Sequence, residues 1–165
     1  MQRYQFFLTS PIVVFCVVLG TLMVFSGIGS FLSGKAGPRA AVLSIAAILL
    51  LLILHQTWIP DQLPKLAAVP LVMRISLMVL SIAPLAFFLG VPFPFLLNVI
   101  KEKMSPPSAG VFVAVNSACS ALAVPLALNI SSAYGFRATF GLAFMIYGVV
   151  GALFFLINRK WIISA

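Results

Sequence analysis

The chain has 165 residues, of which 63% are hydrophobic and 7% charged, with a mean hydropathy of +1.22. A chain this short cannot hide that many apolar side chains in a water-soluble core, so a bilayer must solvate them. Ten Lys and Arg against two Asp and Glu leave a net +8, but the bases stand singly or in pairs between apolar runs and form no basic face for nucleic acid; they read as loop charges beside anionic headgroups, where they also set topology.

The expected fold is all-α: one polytopic transmembrane domain over residues 1–165, built of about five helices near 12–31, 41–59, 71–90, 111–129 and 138–157. Met1 to Pro11 is an amphipathic start whose only charge is Arg3. Ile12 to Phe31 supplies about 20 apolar residues, which at about 1.5 Å each cross roughly 30 Å of hydrocarbon. A signal peptide is the competing reading, but the run is too long and four similar segments follow. Cys16 here, and Cys119 later, sit inside apolar runs as packing thiols, not as a disulfide or metal pair. Ser26, Ser30 and Gly34 recur every four residues, and small residues on one face predict close helix approach. Gly27 and Gly29 add local flexibility.

Gly37 and Pro38 mark a tight turn between Lys35 and Arg39. The second span ends at His55 and Trp58; Trp58 suits the interfacial belt, whereas His55 reads either as a proton relay or as a solvated or hydrogen-bonded helix-end residue. Ile59 to Pro70, with Pro60, Asp61, Pro64, Lys65 and Pro70, cannot continue a helix. Arg74 stands close enough to the start of the third span to snorkel back to headgroups, and Pro84 should bend that helix. Pro92 and Pro94 then each remove a backbone donor, so the sequence predicts a helix break. It reads either as a hinge or cavity wall or as a helix end turning along the interface before Lys101, Glu102 and Lys103.

The fourth span carries Asn116, Ser117 and Ser120 at its middle, with Asn116 and Ser120 on one face at i, i+4. An amide in hydrocarbon seeks a partner, so neighbouring helices are expected to pack around this polar seam, either purely as packing or to line a substrate path. Asn129, Ile130 and Ser131 match a glycosylation sequon, informative only in a secreted eukaryotic setting. The fifth span is bounded by Arg137 and by Arg159 with Lys160; Tyr147 lies at its centre and Trp161 anchors its end.

The carboxylates and imidazole amount to Asp61, Glu102 and His55, all near predicted interfaces. They assemble no acid-base pair, metal cluster or nucleophile triad, and no glycine-rich strand-to-helix loop suggests a nucleotide pocket. No cofactor is expected, and an enzyme of ordinary type is not. The expected partners are the lipid bilayer and other membrane helices.

Several segments, taken in order, resemble one family. QRYQFFLTSP (2–11), VVLGTLMVFSGIGSFLSG (17–34), GVPFP (90–94), VFVAVNSACSALAVPLAL (111–128) and YGFRATFGLAFMIYGVVGALF (134–154) are similar to the membrane region of spermidine synthase-like proteins fused to a transporter-like domain. The turn with Gly34, Lys35, Gly37 and Arg39 also resembles the loop between the second and third helices of major facilitator transporters, with Ser33 near the place of its usual acidic residue. In proteins of that kind a soluble aminopropyltransferase-like domain accompanies the helices, and none of its motifs is in this chain. The resemblance places Gln2 and Arg3 at the end of a further helix, so it implies a carboxy-terminal or split membrane module without catalytic activity of its own. The alternatives are a small transporter-like half that dimerises to form a path, and a membrane scaffold subunit.

Alternate spans place Lys35, Arg39, Lys101, Lys103, Arg159 and Lys160 on one side and Arg3, Lys65, Arg74 and Arg137 on the other. The richer side is expected to be cytoplasmic, which puts the amino terminus outside and the carboxy terminus inside, in a bacterial inner membrane. A reporter fused after Ala165 should be active only in its cytoplasmic form; activity confined to the exported form reverses the orientation.

Overall fold

The computed structural model describes residues 10–34, 37–57, 69–103 and 106–163. Arg3, Lys35, Trp58, Asp61 and Lys65 lie outside these, as does the side chain of Trp161. The described elements are α1 (Pro11–Ser33), α2 (Pro38–Thr57), α3 (Leu71–Leu89), α4 (Pro92–Lys103) and α5 (Pro106–Ile163). The chain is all-α, and five segments are long and apolar enough to cross a membrane: Ile12–Ser33, Arg39–Thr57, Leu71–Glu102, Pro107–Gly135 and Arg137–Leu156.

Local chemistry explains where these helices start and stop. Four of the five begin on proline, at Pro11, Pro38, Pro92 and Pro106, a position where the missing N–H would have had no helical partner. In α5 the interruption is Gly135, at φ 80 and ψ 171, a backbone conformation open to glycine and strained for other residues. It divides α5 into a first limb, 106–134, and a second limb, 136–163.

Pro92 and Pro94 do not break a helix from within. Pro92 is the first residue of α4 and Pro94 the third, so both drop donors that a first turn leaves unused. The interruption lies just before them at Gly90 and Val91. There the Gly90 N–H turns back to the carbonyls of Ala86 and Phe87 at 3.3 and 3.2 Å, and the Val91 N–H to that of Phe88 at 3.2 Å. The carbonyls at the end of α3 are thus met by the chain's own turn.

Two apolar clusters hold the helices. Val14 and Val18 of α1 meet Met78 and Ile82 of α3. Ala41 and Ile45 of α2 meet Phe95 of α4 and Phe154 of α5, the two rings edge to face with centroids 5.8 Å apart. Helix α2 also packs on α3. The buried Ile48 of α2 and Ala86 of α3 lie within those two helices. The spatial order is therefore α1, α3, α2 and the second limb of α5, with α4 packed near the first two turns of α2. Outward-facing side chains such as Phe31, 85% exposed, and Val72, 76% exposed, would be intolerable in water at this density and suit acyl chains as solvent.

The closest approach is between α1 and α3, and it uses backbone. A side chain added at Gly29 would overlap the carbonyl oxygen of Phe87, and one at Gly90 would overlap that of Ser26. Gly90 has an ordinary right-handed backbone, φ −73 and ψ −15, so space and not conformation requires glycine there. The expected ladder of Ser26, Ser30 and Gly34 is not the buried stripe of α1. Gly34 is exposed, Ser26 and Ser30 are half-buried, and Val14, Val18, Thr21, Gly29 and Ser33 face inward instead. A strict four-residue repeat drifts by about 40° per step around a helix of 3.6 residues per turn, so it cannot follow a neighbour, whereas alternating steps of three and four can.

A Gly29→Leu variant should lower stability in detergent by about 1–3 kcal/mol, because backbone atoms of α3 cannot swing aside. Gly27, where an added side chain meets nothing within 4 Å, should accept leucine with a change within about 0.5 kcal/mol. Equal unfolding midpoints for the two variants would remove the backbone contact as the reason.

Candidate functional site

The fourth span is the least covered of the five: none of its most apolar window is buried, against 22–28% in the first three. Asn116, Ser117 and Ser120 are all exposed. The expected packing of neighbouring helices around this seam does not form within the chain. The physical reason is partly local. The Ser117 hydroxyl donates to the Val113 carbonyl at 2.9 Å and the Ser120 hydroxyl to that of Asn116 at 2.8 Å, so each hydroxyl is satisfied on its own helix. The surface of α2 is meanwhile occupied by the second limb, where Gly151 leaves room for Ile45. At its start the first limb touches α4, where Phe112 stacks on Phe93 with centroids 5.4 Å apart and planes at 12°.

Asn116 differs from the serines. Its side-chain amide makes no hydrogen bond among the described residues, whereas the Nδ2 of Asn129 donates to the Pro125 carbonyl at 3.0 Å. An amide with two donors and one acceptor thus stands at mid-span on a surface that no helix of this chain covers. Three hydroxyls of α1 are closed locally. Ser26 Oγ lies 3.4 Å from the Met23 carbonyl, Ser33 Oγ donates to that of Ser30 at 2.6 Å, and Thr21 Oγ1 to that of Val17 at 2.6 Å. Arg74 Nε reaches back to the Val69 carbonyl at 2.7 Å, before the start of α3.

Grooves indent the surface of the described residues. One, against α3, is almost wholly apolar, bounded by Phe25, Val79, Leu80, Pro84 and Phe87; Ser76 on its wall is bonded to the Val72 carbonyl at 3.1 Å. Another, of about 270 Å³, lies between the end of α2 and the start of the second limb of α5, with Gln56, Thr57 and Arg137 among its lining. Arg137 is exposed. The Oε1 of Gln56 and the Oγ1 of Thr139 are enclosed without a hydrogen-bond partner. For Thr139 the cause is visible: the carbonyl four residues back belongs to Gly135, whose ψ of 171 turns it far from the direction a helical ψ near −42° would give.

The sequence marks Arg137 as a helix boundary and a topology-setting base, and gives no sign of Gln56, of Gly141 or of the space-making role of Gly29 and Gly90. A glycine at a helix end normally signals a turn, and nothing in the one-dimensional pattern says which helix will press against it. Among the described residues no three of His, Cys, Asp and Glu come together as a metal site. His55 is half-buried in the last turn of α2. Comparison with known proteins finds no matching family model, no matching curated protein and no matching solved structure.

Proposed function

We propose that the chain is a non-catalytic membrane module of a spermidine synthase-like system, and that its fourth span docks onto other membrane helices. The observation that carries the docking is the uncovered first limb of α5 with the unpartnered Asn116 amide at its middle. In hydrocarbon such an amide gains a partner by helix association, although each interhelical bond averages only about 0.6 kcal/mol. The ordered resemblance of five segments supplies the kind of system. The reading includes a bacterial inner membrane, the amino terminus outside and the carboxy terminus cytoplasmic, as the distribution of bases favours. A transporter-like half is less well supported, because residues 75–100 and 106–136 carry no charged side chain and ion or polar-solute paths usually need one.

Cys119, exposed and one turn from Asn116, makes the docking measurable. In a Cys16→Ser background, thiol cross-linking in native membranes should give a discrete larger species through Cys119. Asn116→Leu should reduce that species several-fold while leaving the unfolding midpoint of the isolated chain within about 0.5 kcal/mol. Free reaction of Cys119 with a lipid-soluble maleimide and no cross-linked product would show a lipid-facing helix and end the docking proposal.

The absence of catalysis is tested separately. Aminopropyl transfer needs carboxylates for the polyamine ammonium groups and a base for the attacking amine. The span count puts Asp61, between the second and third spans, and Glu102, near the end of α4, on opposite sides of about 30 Å of hydrocarbon. Purified chain in vesicles with putrescine and decarboxylated S-adenosylmethionine should form no spermidine above a protein-free control, and enzyme-dependent product would overturn the non-catalytic reading.

A further inference from the structure

We propose that the groove between the end of α2 and the second limb of α5 is a binding site for a phospholipid, held through its phosphodiester and one acyl chain. Its polar mouth and apolar walls are stacked in the order a lipid presents them. Thr57 ends the second span and Arg137 opens the fifth, so Gln56, Thr57 and Arg137 stand at headgroup level. Leu52, Ile53, Phe140 and Phe144 line the groove from those same two spans, and Leu52, Ile53 and Phe144 lie deeper in the hydrocarbon.

Arg137 is the single charged residue between positions 106 and 158. It is exposed and makes no ion pair among the described residues. A guanidinium at the membrane boundary binds a phosphate through two parallel N–H donors. Gln56 adds to this. Only its Oε1 is enclosed, which leaves Nε2 as the donor at the groove. Thr57 Oγ1 already donates to the Ile53 carbonyl at 2.9 Å and supplies no competing donor.

Gly141 lines the groove and a side chain added there would meet nothing within 4 Å, so a larger residue at this position would take up that open space. At about 270 Å³ the space suits a headgroup and the first part of one chain, not a whole lipid. A soluble glycerophosphodiester shares the polar chemistry but offers nothing to the four apolar wall residues, and they commit the site to lipid.

The full chain in detergent micelles, titrated with phosphatidylglycerol and read by native mass spectrometry, should retain one lipid per chain. Diacylglycerol with the same chains but no phosphate should bind at least about tenfold more weakly, and soluble glycerophosphoglycerol should not displace the lipid. Arg137→Gln should weaken retention about tenfold or more, in line with a hydrogen bond to a charged group. Gly141→Leu should block retention by filling the groove. Gly148→Leu, on the same limb and equally open, should leave it unchanged, which separates occlusion from misfolding. Equal retention of phosphatidylglycerol by wild type, Arg137→Gln and Gly141→Leu would mean annular lipid only and overturn the site. Equal binding of diacylglycerol would overturn the phosphodiester contact, and displacement by the soluble headgroup would overturn the lipid assignment.

Discussion

Where α1 and α3 cross, Gly29 lies against the carbonyl of Phe87 and Gly90 against that of Ser26, and the positions of the other helices follow from this backbone contact. In hydrocarbon, apolar side chains gain little by leaving lipid for one another, so association rests on close packing and polar contacts. Two glycines that let backbones touch add dispersion along the whole crossing, and they admit weak Cα–H to carbonyl contacts. The crossing also fixes where the third span stops. Gly90 is both the residue that admits Ser26 and the point at which the chain leaves α3 for α4, so α4 is delivered to the end of the bundle near Ala41, Ile45 and Phe154.

Gly135 acts differently, through conformation. Its positive φ lets one long helical stretch turn into two limbs with unlike surroundings. The second limb takes the surface of α2, while the first is left almost bare. The same backbone rotation withdraws the carbonyl that Thr139 would have used and sets Arg137 at the mouth of a groove. A single glycine thus produces the uncovered limb on which the proposed docking rests, and positions the cation on which the proposed lipid site rests.

Six hydroxyls within the spans share one pattern. Thr21, Ser33, Ser44, Ser117, Ser120 and Ser132 each donate to a carbonyl three or four residues back. A hydroxyl closed in this way is tolerated beside lipid and gives no sign of a partner. An asparagine amide is longer and has more donors than one backbone carbonyl can accept. For this reason Asn116 remains the informative residue of the fourth span although it does not sit in this chain's interior.

Much of the architecture was legible from residues alone. Apolar runs of about 20 residues give membrane helices because unpaired backbone groups are intolerable in hydrocarbon, whereas only the structure shows that the prolines at positions 11, 38, 92 and 106 open helices. The expected boundaries 12–31, 41–59 and 71–90 correspond to Pro11–Ser33, Pro38–Thr57 and Leu71–Leu89 to within three residues. Which faces meet was not legible. Ser26, Ser30 and Gly34 looked like the packing face; Ser26 does meet Gly90, but the buried positions at this end of α1 are Gly29 and Ser33. Asn116 and Ser120 looked interior, but no helix of this chain covers them. An apolar helix in a bilayer can present any side to lipid at nearly equal free energy. Only the tertiary contacts, above all the backbone crossing at Gly29 and Gly90 and the turn at Gly135, decide which side is protein.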